Sequence, residues 1–121
     1  MNIVMSGNST VYTGMELAIY STLTHNKHIN WYIFTMDIVV ETPSGEAIVY
    51  EGLTEWQRKK LTSIVNYLDK TSRITFINAA PYYAEYLEQS VNITSGIDYL
   101  TYNIGNGDVV VNKSDFTKYE N

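Results

Sequence analysis

The fold is decided by two adjoining stretches, NIVMSGNSTVYTGMELAIYSTLTHN at residues 2–26 and INWYIFTMDI at residues 29–38. The first opens on a short apolar run, residues 2–5, that ends in the turn cluster Ser6-Gly7-Asn8-Ser9. From Gly14 to Thr24 the spacing becomes helical, with Met15, Ala18, Ile19, Thr22 and Leu23 on one face. Asn26 and Lys27 supply the helix stop. The aromatic and β-branched run at residues 30–35 then predicts a strand. Strand, helix and strand within 35 residues is the βαβ pattern, in which two parallel strands are joined by a crossover helix.

The pattern continues downstream with one interruption. In IVVETPSGEAIVY, residues 38–50, two β-branched runs flank Pro43-Ser44-Gly45, which predicts a hairpin. Thr54-Glu55-Trp56-Gln57 fits a capping box, the cap residue being answered by Gln three positions on. The helix it opens carries Leu61, Ile64, Val65 and Leu68 along one stripe. Residues 73–77 predict a further strand, residues 81–88 a short irregular helix, and residues 108–111 a buried strand. The expected class is α/β, a Rossmann-like and mainly parallel sheet with flanking helices, in a single domain spanning residues 1–121. In such sheets ligands sit beyond the carboxyl ends of the strands. That rule points to residues 6–10.

Composition narrows the function. Eight basic residues against 13 acidic ones, net charge −5, leave little to neutralise a polyphosphate backbone, so nucleic acid is not an expected partner. The absence of cysteine excludes disulfides and thiolate metal sites. No apolar run approaches the ~18 residues of a transmembrane helix. No basic region followed by a long apolar run opens the sequence, so the expected location is cytoplasmic. Tyrosine occurs 11 times, and its ring and hydroxyl suit half-buried faces and binding clefts alike.

The two opening stretches, with GLTEWQRKKL at residues 52–61 and RITFINA at residues 73–79, resemble the start of glycosyltransferase family 8. The matching features are Ser6, Gly14, Ser21, the strand through Phe34, and Asp37. The likeness covers most of residues 1–80. Near the carboxyl end, Asn106-Gly107-Asp108 before Val109-Val110-Val111 is similar to the family's D-x-D motif, with Asn in the first acidic position. The resemblance implies a GT-A type fold, truncated here, that binds a UDP-sugar and transfers its hexose to an acceptor with retention. It implies that Ser6, Asn8 and Tyr12 lie at the nucleotide, with Asn8 where the family commonly has Asp. It also implies Mn²⁺ or Mg²⁺ at Asn106 and Asp108, with weaker binding than two carboxylates provide. The region from residue 91 to 102 is shorter than the family's, and its downstream metal-binding histidine and acceptor half have no counterpart.

Each of these residues also has a plainer reading. Asn106-Gly107 is a strong turn signal in its own right. Asn8 suits a turn, Asp37 a turn cap, and Tyr12 packing on the sheet edge. His25 and His28 suit the carboxyl end of a helix, and Tyr82, Tyr83 and Tyr86 a packing cluster. Three functions therefore stay open: a sugar transferase lacking its acceptor half, a noncatalytic nucleotide-binding remnant, and a small α/β protein-interaction module. The strand at Asp108 is expected to end the sheet with few neighbours, leaving an edge open to self-association.

Overall fold

The computed structural model describes residues 1–41, 44–88, 93–95, 99–103 and 108–112. Strand β1 (Asn2–Ser6) is followed by a 3-10 turn (Ser9–Val11), helix α1 (Tyr12–Leu23) and strand β2 (Asn30–Thr35). Strands β3 (Ile38–Glu41) and β4 (Ala47–Tyr50) form the hairpin, with Gly45 between them at φ 88°. That left-handed backbone is the one glycine adopts without a Cβ penalty. Helix α2 (Glu55–Leu68), strand β5 (Arg73–Asn78) and helix α3 (Ala80–Glu88) complete the part foreseen from periodicity. Three more strands follow: β6 (Ile93–Ser95), β7 (Tyr99–Asn103) and β8 (Asp108–Asn112).

The strands divide into two sheets. One is parallel, in the order β1-β2-β5, with Ile3 beside Trp31 and Trp31 beside Ile74. The other is antiparallel, in the order β4-β3-β8-β7-β6. A mainly parallel sheet was the expectation, and among the described residues only three of the eight strands are parallel. The reason lies at residues 36–37: the chain leaves β2 and enters a hairpin instead of a crossover helix, and a hairpin can pair only antiparallel. The expectation that the Asp108 strand ends a sheet is overturned. β8 runs between β3 and β7, with neighbours on both sides.

The core lies between the parallel sheet and helices α1 and α2. Tyr12, Met15, Ile19 and Leu23 of α1 and Leu61 and Val65 of α2 are buried with Trp31, Ile33 and Phe76 of the sheet. Alternation along β2 sends Trp31, Ile33 and Thr35 to this side and leaves Tyr32 and Phe34 half-exposed on the other. Asp69 ties the amino-terminal ends of the strands together. One oxygen accepts from the His28 amide at 2.9 Å and the Ser72 hydroxyl at 2.7 Å, while Ser72 Oγ accepts from the Ile29 amide at 3.0 Å. His28, at φ 61°, makes the turn that presents this amide.

Candidate functional site

A cleft of about 380 Å³ opens at the carboxyl ends of the three parallel strands. Ser6, Gly7 and Asn8 line it from the end of β1, Phe34 to Met36 from the end of β2, and Ala79 from the end of β5. Val11 and Ile38 close its flanks. This is where a parallel sheet with helices on its faces places a ligand: the strands end together, and the following segments diverge. Among the described residues the lining carries no charged side chain.

The loop after β1 is held from three directions. The Gly7 amide donates to the Phe34 carbonyl at 3.0 Å, continuing the sheet one residue past β1. The Ser9 amide donates to the Glu51 carbonyl at 3.1 Å, and Gln57 Nε2 donates to the Ser9 carbonyl at 3.2 Å. Gly7 has no room for a side chain, since an added Cβ would collide with Val11 Cγ2 and stand 3.0 Å from Met15 Cε. The glycine lets the first turn pass close over α1.

Ser6 and Asn8 therefore sit in the cleft wall. Asn8 also fills the turn role. Its Oδ1 accepts from the Thr10 amide at 3.1 Å and from the Thr10 hydroxyl, capping the 3-10 turn. A backbone N–H can be answered only by an oxygen, so the orientation of the amide is fixed. Its oxygen is thus engaged within the loop, and the Nδ2 group is what remains to donate to a ligand.

Tyr12 lies elsewhere. It is 8% exposed, belongs to the core and packs edge-on against Trp56 with ring centroids 5.8 Å apart. Burial, together with the Glu16 carboxylate one turn on, holds its phenol well above the usual tyrosine range. It packs as an apolar ring and does not line the cleft; Val11 stands there in its place. Aromatic surface at the cleft comes from Phe34, whose ring meets the exposed Tyr82 ring at 6.3 Å. Asp37 serves the turn, accepting from the Gly52 amide at 2.8 Å. Next to it the Leu53 amide donates to Thr35 Oγ1 at 2.9 Å. These two bonds fasten the return from the hairpin to the exit of β2.

Asn106 lies outside the described residues. Asp108 opens β8, in register with Glu41 of β3 on one side and Asn103 of β7 on the other. Among the described residues no group of three or more His, Asp or Glu side chains is placed to hold a metal ion. His25 and His28 follow α1, and no helix among the described residues is long and apolar enough to cross a membrane.

Reading the sequence alone missed Thr35, Met36, Ile38 and Ala79 as lining residues. The signal for three of them was present. Thr35, Met36 and Ala79 end or follow a predicted strand, and the ends of parallel strands meet at one rim. Ile38 enters only because the hairpin folds back beside that rim, which no local pattern announces. No protein-family model matches this chain, and no curated protein or solved structure is significantly similar to it.

Proposed function

We propose that the cleft is a nucleotide site, and that the chain is the nucleotide-binding part of a retaining UDP-sugar transferase of the glycosyltransferase family 8 kind. One observation carries this reading. The residues that resemblance assigns to the loop after the first strand, Ser6 and Asn8, line a cleft at the carboxyl ends of a parallel sheet. The uncharged, largely apolar wall suits a nucleobase and ribose, with the Asn8 Nδ2 group as donor to a ring carbonyl. The diphosphate then lies beyond this wall. Mn²⁺ or Mg²⁺ at Asn106 and Asp108 remains the proposed means of neutralising it, as a Lewis acid on the phosphate oxygens.

A second reading has its own support. β8 is built into the middle of an antiparallel sheet, and among the described residues the lining supplies no cation for a phosphate. A noncatalytic remnant that keeps base recognition and has lost donor-sugar chemistry has those features. Calorimetric titration of the chain with UDP, with and without Mn²⁺, separates the two. Manganese-dependent binding is the expected result for a working donor site. Binding that ignores the metal favours the remnant. A folded chain that gives no heat at millimolar UDP overturns both.

A further inference from the structure

Four strands end the two sheets: β1 and β5 in the parallel one, β4 and β6 in the antiparallel one. They are not equivalent. The amides of Arg73, at the start of β5, and of Ala79, just past its end, donate to the Ile29 and Thr35 carbonyls, so the odd residues face β2 and Ile74, Phe76 and Asn78 turn their backbone groups outward. Phe76 and Asn78 are buried, and all three residues have partners, so that flank is closed. β4 is exposed along its length but stands between Glu46 and Glu51. Two copies brought together along β4 bring these carboxylates toward one another, and charged residues at an edge are one way natural edges are kept apart.

β1 has neither protection. Among the described residues its partner lies on one side only, with Asn30 donating to the Met1 carbonyl and Gly7 donating to the Phe34 carbonyl at the two ends of the pairing. Odd residues therefore face β2, and the N–H and C=O groups of Asn2, Val4 and Ser6 point to the open side. All three residues are exposed, Val4 by 65%. No charge, proline or bulge interrupts residues 2–6.

This edge is self-complementary. A two-fold axis through Val4 brings two copies of β1 together antiparallel, Val4 opposite Val4, and Asn2 opposite Ser6 of the second copy. These are the residues whose backbone groups point outward, so each pair exchanges both hydrogen bonds, as the narrow pairs of an antiparallel ladder do. The intervening pairs set Ile3 against Met5 of the second copy on the face that packs against the core, where both residues are only half-buried. The chain carries a net charge of −5, so a seam between two copies must be free of acidic groups, and this one is. We propose that β1 is a homodimerisation edge, which joins two three-stranded sheets into one six-stranded sheet with an antiparallel junction at Val4. The proposal is independent of the nucleotide reading: it uses only the backbone of Ser6, a residue that also lines the cleft, and needs no ligand bound there.

Sedimentation equilibrium over a range of concentrations tests it on the whole chain. The expected result is a concentration-dependent rise from 13.8 kDa to twice that mass. Val4→Pro removes an N–H that β2 does not use and places a ring at the junction, so it is expected to hold the mass at the monomer value. Val4→Lys puts two like charges at the axis and is expected to do the same; its exposed position keeps it folded if the proline variant is not. Val49→Lys on β4 is expected to leave the dimer intact. In exchange measurements the Val4 amide gains protection as concentration rises, while Ile3 and Met5 are protected throughout. A wild-type chain that keeps the monomer mass at every concentration overturns the proposal. So does a folded Val4→Lys chain of doubled mass, or dissociation by Val49→Lys alone.

Discussion

At the scale of single residues, Asp69 does more for the fold than its surface-type chemistry suggests. Its oxygens receive the Thr71 hydroxyl, the His28 amide and the Ser72 hydroxyl, and these donors hold its carboxyl well below the usual carboxylate range. A folded value below the unfolded one of about 3.9 means that the stabilisation is fully present above that pH. It is lost as the pH falls toward the folded value. Asp69→Asn is therefore expected to lower Tm at neutral pH, and the gap from wild type to narrow progressively below about pH 4. Thermal melts of both proteins from pH 7 to pH 2 check this; a gap that stays constant with pH would sink it. Nothing in the sequence marks Asp69 as special. Its importance rests on a turn at His28, 41 positions away, that brings an amide to it. Asn8 shows the converse. Its turn role is local and was visible in the sequence: its oxygen caps the loop, while the residue also lines the cleft wall.

At the scale of elements, α2 was the most legible piece of the chain. Local signals at both levels agreed: an apolar stripe through Leu61, Val65 and Leu68, and a cap that the sequence spells out. Thr54 Oγ1 accepts from the Gln57 amide at 3.2 Å, and Gln57 Oε1 accepts from the Thr54 amide at 3.0 Å. Gln57 has a second duty that spacing does not reveal, since its Nε2 reaches the Ser9 carbonyl across 48 positions. The two residues should thus differ when replaced. Thr54→Ala removes a cap, at a cost of about 1 kcal/mol. Gln57→Ala is expected to destabilise by a similar amount, about 1 kcal/mol, and in addition to free the cleft loop. Urea unfolding gives the first quantity, and amide exchange at Ser9 and Thr10 reads the second. Equal exchange in the two variants would show that the loop does not depend on Gln57. Strands β6 and β7 went unread for a physical reason: ITS and YLTYN are short, and they are held by pairing, β6 on β7 and β7 on β8, rather than announced by their own periodicity.

At the scale of the whole molecule, the sequence showed the βαβ half clearly and the antiparallel half hardly at all. Helix and strand periods are local, so β1, α1, β2, α2 and β5 could be placed one after another. One of the two sheet partners of β8 is β3, about 70 residues earlier in the chain, and no window of sequence contains that pairing. The cleft was legible only in part: the sequence pointed to the loop after β1, and not to the ends of β2 and β5 or to the wall contributed by the hairpin at Ile38.

The placement of the two tryptophans carries an optical consequence. Trp31 is 2% exposed in the middle of the core, and its Nε1 makes no hydrogen bond; Trp56 is 66% exposed at the start of α2. One indole thus emits from an apolar, solvent-free site and the other from water. Acrylamide is expected to quench only part of the native fluorescence, the red-shifted part, and all of it after unfolding. A single quenchable population in the native chain would contradict the burial of Trp31. Phenylalanine at position 56 leaves a lone blue emitter that reports on the core, while phenylalanine at position 31 leaves one that reports on the ground next to the cleft loop.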